Sequence, residues 1–307
     1  MAFQGTWRVI VNPAAAVGRA GRRWPSVADL LSSRGIPFAP VFTTCPGRTA
    51  ELAESSVRDG FDGLAVYGGD GTLSTAASAL CGMEVPPVLA HIPSGTGNDW
   101  VRSLGIPRSV PGAVELMKKG FSRRVDTGVC LADGEPRFFL NSAGMGFDAF
   151  VLHRALRLRR VLPLGKSGYL ASLVASALFP PVWRADISSG GDLLHSGAYF
   201  TLTLGVGRYS GGGMSLSPAA LPDDGLLDAA WILPVGFFTI AANIPRVFDG
   251  TLLELPQARG HRAAAFRVEP KGDLLMELDG EFQVFSSPPS EILFRTGPGL
   301  TVIAPEG

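Results

Sequence analysis

The chain has 307 residues, 27 Lys plus Arg against 27 Asp plus Glu, and a hydrophobic fraction of 46%. Balanced charge supplies no global field to draw in nucleic acid, and the apolar content excludes an intrinsically disordered chain. Three cysteines, Cys45, Cys81 and Cys130, form no C-x-x-C pair, which argues against a disulfide framework or a zinc ribbon and fits a reducing, cytoplasmic setting.

Met1 to Arg8 lacks the basic start and long apolar core of a signal peptide. The first third then alternates short apolar runs with helical spacing. Arg8–Val11 reads as a strand, Asn12-Pro13 as a turn, and Val27, Leu30 and Leu31 as one face of a helix. Phe38–Phe42, Gly63–Tyr67 and Val88–Ile92 follow as strands, with Arg48–Arg58 and Thr72–Leu80 as the intervening helices. Strands alternating with helices predict a parallel sheet whose ligand crevice lies at the carboxyl ends of the strands.

After about Val125 the texture changes to short β-forming runs with frequent Gly and Pro: Phe138–Leu140, Tyr199–Val206, Leu226–Leu233, Phe266–Val268, Leu274–Leu278, Glu291–Arg295 and Leu300–Ile303. Two domains are therefore predicted, an α/β domain over 1–125 and an antiparallel domain over 126–291, with the last strand near 292–307 packing back on the first. A basic helical insert at about 150–179 interrupts the second. From Ala149 to Ala185 there are six basic residues (Arg154, Arg157, Arg159, Arg160, Lys166 and Arg184) and no acidic ones, interleaved with Val151, Leu152, Leu156, Leu158, Val161 and Leu162. Such a helix suits an anionic membrane surface; a solvated surface helix is the plainer alternative. The longest low-charge stretch, Tyr169–Trp183, is broken by Pro180 and Pro181 and falls short of the roughly 20 apolar residues of a spanning helix, so membrane contact is predicted to be peripheral. Oligomeric state is not legible, and a homodimer stays open.

Two loops carry the chemistry. Gly68-Gly69-Asp70-Gly71-Thr72 follows a strand and opens a helix, so its backbone can approach phosphate and the helix start offers free N–H groups. Thr72 is a candidate cap or phosphate ligand, and Asp70 points to a cation or substrate hydroxyl between itself and the phosphates. Pro93-Ser94-Gly95-Thr96-Gly97-Asn98-Asp99 follows the fourth strand in the same way; Ser94 and Thr96 offer hydroxyls, and Asn98 and Asp99 either cap the next helix or act as ligands. Asp279-Gly280-Glu281 reads as a hairpin turn or as a pair of converging carboxylates. Pro222-Asp223-Asp224-Gly225 reads as a turn.

Val11-Asn12-Pro13, Gly68 to Thr72, Pro93 to Asp99, Asn141 to Asp148, Gly211 to Met214, Asp224-Gly225-Leu226 and Asp279-Gly280-Glu281 together resemble, in order, the bacterial diacylglycerol kinase and lipid kinase family, relatives of the sphingosine kinases. The resemblance implies a Rossmann-like nucleotide domain joined to an antiparallel β-sandwich, and an ATP- and Mg2+-dependent transfer of phosphate to diacylglycerol or a similar lipid alcohol. It implies that Asn12, Thr44, Gly68, Gly69, Asp70, Gly71, Thr72, Leu73, Ser74 and Thr96 surround ATP, that Leu221, Asp224 and Leu226 hold magnesium, and that Glu281 accepts the proton, with Asp279 and Asp70 assisting. Relatives usually carry Ser-Gly after Asn-Pro; this chain has Ala14-Ala15-Ala16-Val17, with Arg19, Arg22 and Arg23 close behind. NAD kinase resembles the chain in the Gly-Gly-Asp-Gly loop, but its Asn-Glu dipeptide is absent. A non-catalytic lipid-binding protein on the same fold is the remaining alternative.

Overall fold

The computed structural model describes residues 3–45, 47–132, 134–161 and 175–306. The expected alternation is realised as β1 (Trp7–Val11), α1 (Arg19–Ser33), β2 (Phe38–Phe42), α2 (Arg48–Arg58), β3 (Gly63–Gly68), α3 (Asp70–Cys81) and β4 (Val88–Pro93). Two further helices, α4 (Asp99–Ser103) and α5 (Val110–Lys119), lead to β5 (Ser122–Val125). The bounds of α5 follow from chemistry: the Ser109 hydroxyl accepts a hydrogen bond from the Gly112 N–H at its start, and Gly120 takes the left-handed conformation at its end. β1 runs parallel to β2 and β3, and β3 to β4, so the loops that follow these strands share one edge. Val9, Ile10, Val11, Leu64, Ala65 and Val66 are fully buried, as expected of central strands covered on both faces.

The second half contains β6 (Gly128–Ala132), β7 (Glu135–Phe139), β8 (Ser142–Gly146), α6 (Phe147–Val161), β9 (Trp183–Ser189), β10 (Asp192–Tyr199) and β11 (Thr201–Gly205). It continues through β12 (Tyr209–Ser210), β13 (Met214–Ser215), β14 (Leu227–Ile232), α7 (Phe237–Asn243) and α8 (Arg246–Asp249). β15 (Ala258–Ala263), β16 (Ala265–Pro270), β17 (Met276–Leu278), β18 (Glu281–Phe282), β19 (Ile292–Thr296) and β20 (Leu300–Ile303) complete it. Two antiparallel sheets result, ordered β10-β9-β16-β19-β6-β7 and β15-β14-β11-β8-β17-β18, with Phe139, Tyr199, Leu202, Leu204, Phe266 and Phe294 in their common core.

Three expectations are refined. The N-terminal sheet is mixed rather than wholly parallel, ordered β2-β1-β3-β4-β20-β5, because β20 inserts parallel to β4 and pairs antiparallel with β5. Tyr199–Val206 is two strands, since the chain passes at Phe200 from one sheet of the sandwich to the other; there the Phe200 N–H donates to the Ile232 carbonyl. In the basic insert, Arg154 and Arg157 lie exposed on α6, whereas Arg184 belongs to β9. The side chains of Leu158, Arg159, Arg160 and Val161, and residues Leu162 and Lys166 as a whole, lie outside what is described. No helix among the described residues is long and apolar enough to cross a membrane.

Candidate active site

Four strand ends deliver Asn12, Thr44, Gly69 and Ser94 to the same sheet edge. The Asn12 amide donates to the Thr72 hydroxyl at 2.8 Å, while its own oxygen accepts from the Ala14 N–H, so the first loop is tied to the second. Thr72 thus faces Asn12, and Gly69, without a side chain, occupies the cap position of α3. Thr44 sits exposed after β2, its hydroxyl 3.9 Å from the Cys45 Sγ.

The two glycine loops are locked together. A Cβ on Gly95 would lie 2.8 Å from the Gly69 Cα, so only glycine permits this approach. The Ser94 N–H donates to the Gly68 carbonyl, and buried His91 also reaches that carbonyl. Burial depresses the His91 ring to about 4, leaving it neutral at physiological pH. The Asp70 carboxylate turns toward the other loop and accepts from the Asn98 N–H at 2.7 Å and the Asp99 N–H at 3.1 Å. Asp70 therefore caps α4 from outside. Asn98 stands at the cap position of α4 but makes no side-chain capping bond, and the Asp99 carboxylate accepts instead from the Gly212 N–H at 2.7 Å. Burial raises both the Asp70 and Asp99 carboxyls, against the backbone hydrogen bonds that lower them.

On one side of this double loop lies a pocket of about 410 Å³ walled by Arg19, Arg23, Tyr67, Ser94, Gly95 and Arg108. Arg108, from outside every motif, joins two of the three arginines noted after the first loop. On the other side Thr96 and Gly97 border a crevice that runs past Gly212, Glu277 and Gly280.

The Asp279 carboxylate is consumed by structure. It accepts from the Leu140, Asn141 and Ser142 N–H groups at 2.7, 2.8 and 3.1 Å, and from the Ser74 hydroxyl at 2.6 Å. Ser74 therefore spends its hydroxyl on Asp279, and Leu73 is fully buried in the N-terminal core. Asp279 itself has φ 50 and Gly280 φ 80, a tight turn that swings Glu281 back over the helix start. The Glu281 carboxylate lies 3.5 Å from where a Cβ on Gly71 would stand. Loss of surrounding water, then the charge of Asp279, raises the Glu281 carboxyl above its ordinary range.

Beyond the crevice is an apolar cavity of about 310 Å³, with Phe147, Val151, Ile232, Ile240 and Leu252 among its walls; Asp148, Gly211, Met214 and Leu216 border both spaces. The sequence pattern could not find this cavity, which is assembled from α6, β11, β13, β14, α7 and α8.

The segment Leu221, Asp224 and Leu226 lies apart from the double loop. Asp224 forms an ion pair with the Arg262 guanidinium and accepts the Leu226 N–H with its other oxygen, while Leu221 is exposed. Arg262 also pairs with Asp228 at 3.2 Å. The Asp224 carboxylate is thus engaged by an arginine, and no group of three or more acidic, His or Cys side chains among the described residues is arranged to hold a metal.

Comparison with known proteins agrees with this architecture. Residues 6–130 match the diacylglycerol kinase catalytic domain, and residues 141–302 match the YegS C-terminal NAD kinase beta sandwich-like domain. The chain is 30% identical to a diacylglycerol kinase of Mycobacterium tuberculosis, over 91% of this chain and 89% of that one. It is 32% identical to a YegS-like lipid kinase of Xanthomonas euvesicatoria, over 90% and 89% respectively. A solved diacylglycerol kinase structure from Bacillus anthracis shares the fold, with a TM-score of 0.76, 22% identity and coverage of 99% and 98%. The chain belongs to the diacylglycerol kinase family and is a lipid kinase.

Proposed function

We propose that the protein transfers the γ-phosphoryl group of ATP to the hydroxyl of diacylglycerol or a similar neutral lipid alcohol. The observation that carries this reading is the crevice that starts at the second glycine loop, runs past Gly280, the neighbour of Glu281, and shares Asp148, Gly211, Met214 and Leu216 with an apolar cavity, while Glu281 itself lies over Gly71 of the first loop. Phosphates fit the loops because backbone N–H groups and the start of α3 face them. Arg19, Arg23 and Arg108 supply the positive charge beside them. Magnesium enters this reading with the nucleotide, as part of the substrate.

The acyl portion occupies the cavity, and its burial provides the binding energy that holds the head in the crevice. The acceptor oxygen attacks the γ-phosphorus, ADP leaves, and Glu281 takes the hydroxyl proton. Phosphoryl transfer asks mainly for position and charge neutralisation, so a single well-placed carboxylate is enough. Asp70 and Asp279 act as positioning residues for the two loops and for the turn that aims Glu281.

The same cavity favours a lipid over NAD, whose polar dinucleotide gains little from apolar walls. A membrane is the natural source of the acceptor. The helices α7 and α8 that wall the cavity also expose Phe238, Ile244 and Phe248, with Phe238 85% exposed. That apolar edge supports docking on a lipid surface, assisted by Arg154 and Arg157 of α6.

Incubation with labelled ATP and magnesium, with diacylglycerol, sphingoid base and NAD offered separately, tests the reading. Label is expected in a lipid alcohol; transfer to NAD alone, or to none, overturns it. Glu281→Gln is expected to lower turnover by about 10²-fold or more while ATP still binds, and retained turnover removes Glu281 as the base.

A further inference from the structure

β8 carries Ser142, Gly144 and Gly146 on one face of its sheet, because side chains alternate along a strand. A Cβ on Gly144 would lie 2.2 Å from an Asp148 carboxylate oxygen and 2.5 Å from a Glu277 carboxylate oxygen. Two acid side chains, one from the start of α6 and one from β17, thus crowd over a single backbone position that only glycine leaves free.

Their outer bonds are fixed: Asp148 accepts from the Ala149 N–H at 2.8 Å, and Glu277 from the Gly280 N–H. On the same face of β8, Ser142 is 2% exposed, lines a neighbouring pocket that shares Gly97, Gly212 and Gly280 with the crevice, and has a hydroxyl without a hydrogen-bond partner. Buried polar groups in native proteins are nearly always paired, so this hydroxyl is left for something that enters. Asp148 borders both the crevice and the apolar cavity, and no Lys or Arg is found among the described residues lining either space.

We propose that Asp148, backed by Glu277 and Ser142, is a head-group filter at the junction of crevice and cavity, which admits an uncharged lipid alcohol and turns away a lipid that already carries a phosphate. The proposal rests on the lipid-kinase reading above. A neutral head offers hydrogen-bond partners to Ser142 and Asp148. Burial and the neighbouring Asp148 raise the Glu277 carboxyl well above its ordinary range, so the charge of the pair rests on Asp148. A phosphomonoester brings close to two negative charges against that carboxylate in a site of low dielectric, where like charges repel far more strongly than in water. The same repulsion acts on the product at the moment it forms and drives it out.

The test compares a neutral monoacylglycerol with its phosphorylated counterpart, in micelles of uncharged detergent, on the wild-type chain, Asp148→Asn and Glu277→Gln. Asparagine keeps the shape and the acceptor for the Ala149 N–H. The preference for the neutral lipid is expected to fall by about tenfold in Asp148→Asn, with inhibition of turnover by the phosphorylated lipid tightening to match, and to stay near that of the wild type in Glu277→Gln, which removes no charge. The ratio compares two ligands on one protein, so a general loss of stability moves both and leaves it unchanged; if Asp148→Asn does not fold, Asp148→Ser carries the measurement. An unchanged preference in a folded Asp148→Asn chain that still turns over the neutral lipid, at whatever rate, overturns the filter alone. A wild-type chain that binds ATP but phosphorylates no lipid alcohol overturns the lipid-kinase reading, and the filter with it.

Discussion

The Asp70 carboxylate holds the Asn98 backbone N–H at 2.7 Å, so the acid of the first glycine loop serves as the helix cap of the second. Asp70→Ala is expected to cost about 2 kcal/mol of stability, the range of a hydrogen bond to a charged group, and to raise the KM for ATP. Asp70→Asn keeps one acceptor and should retain measurable turnover, unlike Glu281→Gln. Steady-state kinetics on the three variants separates the positioning carboxylate from the reacting one.

Asp279 answers four donors from two parts of the chain. Its removal in Asp279→Ala strands three buried N–H groups and the Ser74 hydroxyl, and a loss of about 3 kcal/mol or more is expected in urea unfolding. Asp279→Asn tolerates the left-handed backbone and keeps part of the network, so its loss should be clearly smaller.

The proposed role of Glu281 as proton acceptor requires it to be ionised, and its carboxyl is raised above an ordinary glutamate by desolvation and by Asp279. The acid limb of kcat/KM against pH should therefore lie above the ordinary glutamate value of about 4.3. Replacing Asp279 with Asn removes the neighbouring charge, and the limb should move toward lower pH. A limb at or below the ordinary value would contradict the desolvated placement of Glu281.

With Arg262 seated on Asp224, the fold needs no ion at that turn. EDTA added to the nucleotide-free protein is expected to leave the melting temperature unchanged, whereas Arg262→Ala should lower it by leaving Asp224 and the buried Asp228 without their cation.

The first loop stores strain at an exposed site. Val17 has φ 59 and is 93% exposed, a left-handed conformation that a β-branched side chain resists. Val17→Gly should raise stability by roughly 1 kcal/mol, measured by thermal unfolding.

The strands and helices of the first third were legible because each apolar run is bounded by Gly, Pro or a polar turn, and β2 and α2 match their expected limits. The loops were legible as loops for the same reason. Where their side chains point was not: Asp70 finds its partners 28 and 29 residues further on, and Asp279 finds Ser74 across 205. No local pattern encodes such contacts. Asp148 fell inside a recognised motif without an assigned role, and Glu277 had no signal at all, since their meeting depends on how β8, β17 and α6 stack around Gly144.

β5 finds its partner in the sheet only in β20, and β20 lies between β4 and β5. On the ribosome, the N-terminal half therefore stays open-edged until residues 300–303 have emerged, by which time the whole sandwich has been made. The half translated first is completed last, and until then its exposed strand edge needs protection from wrong partners.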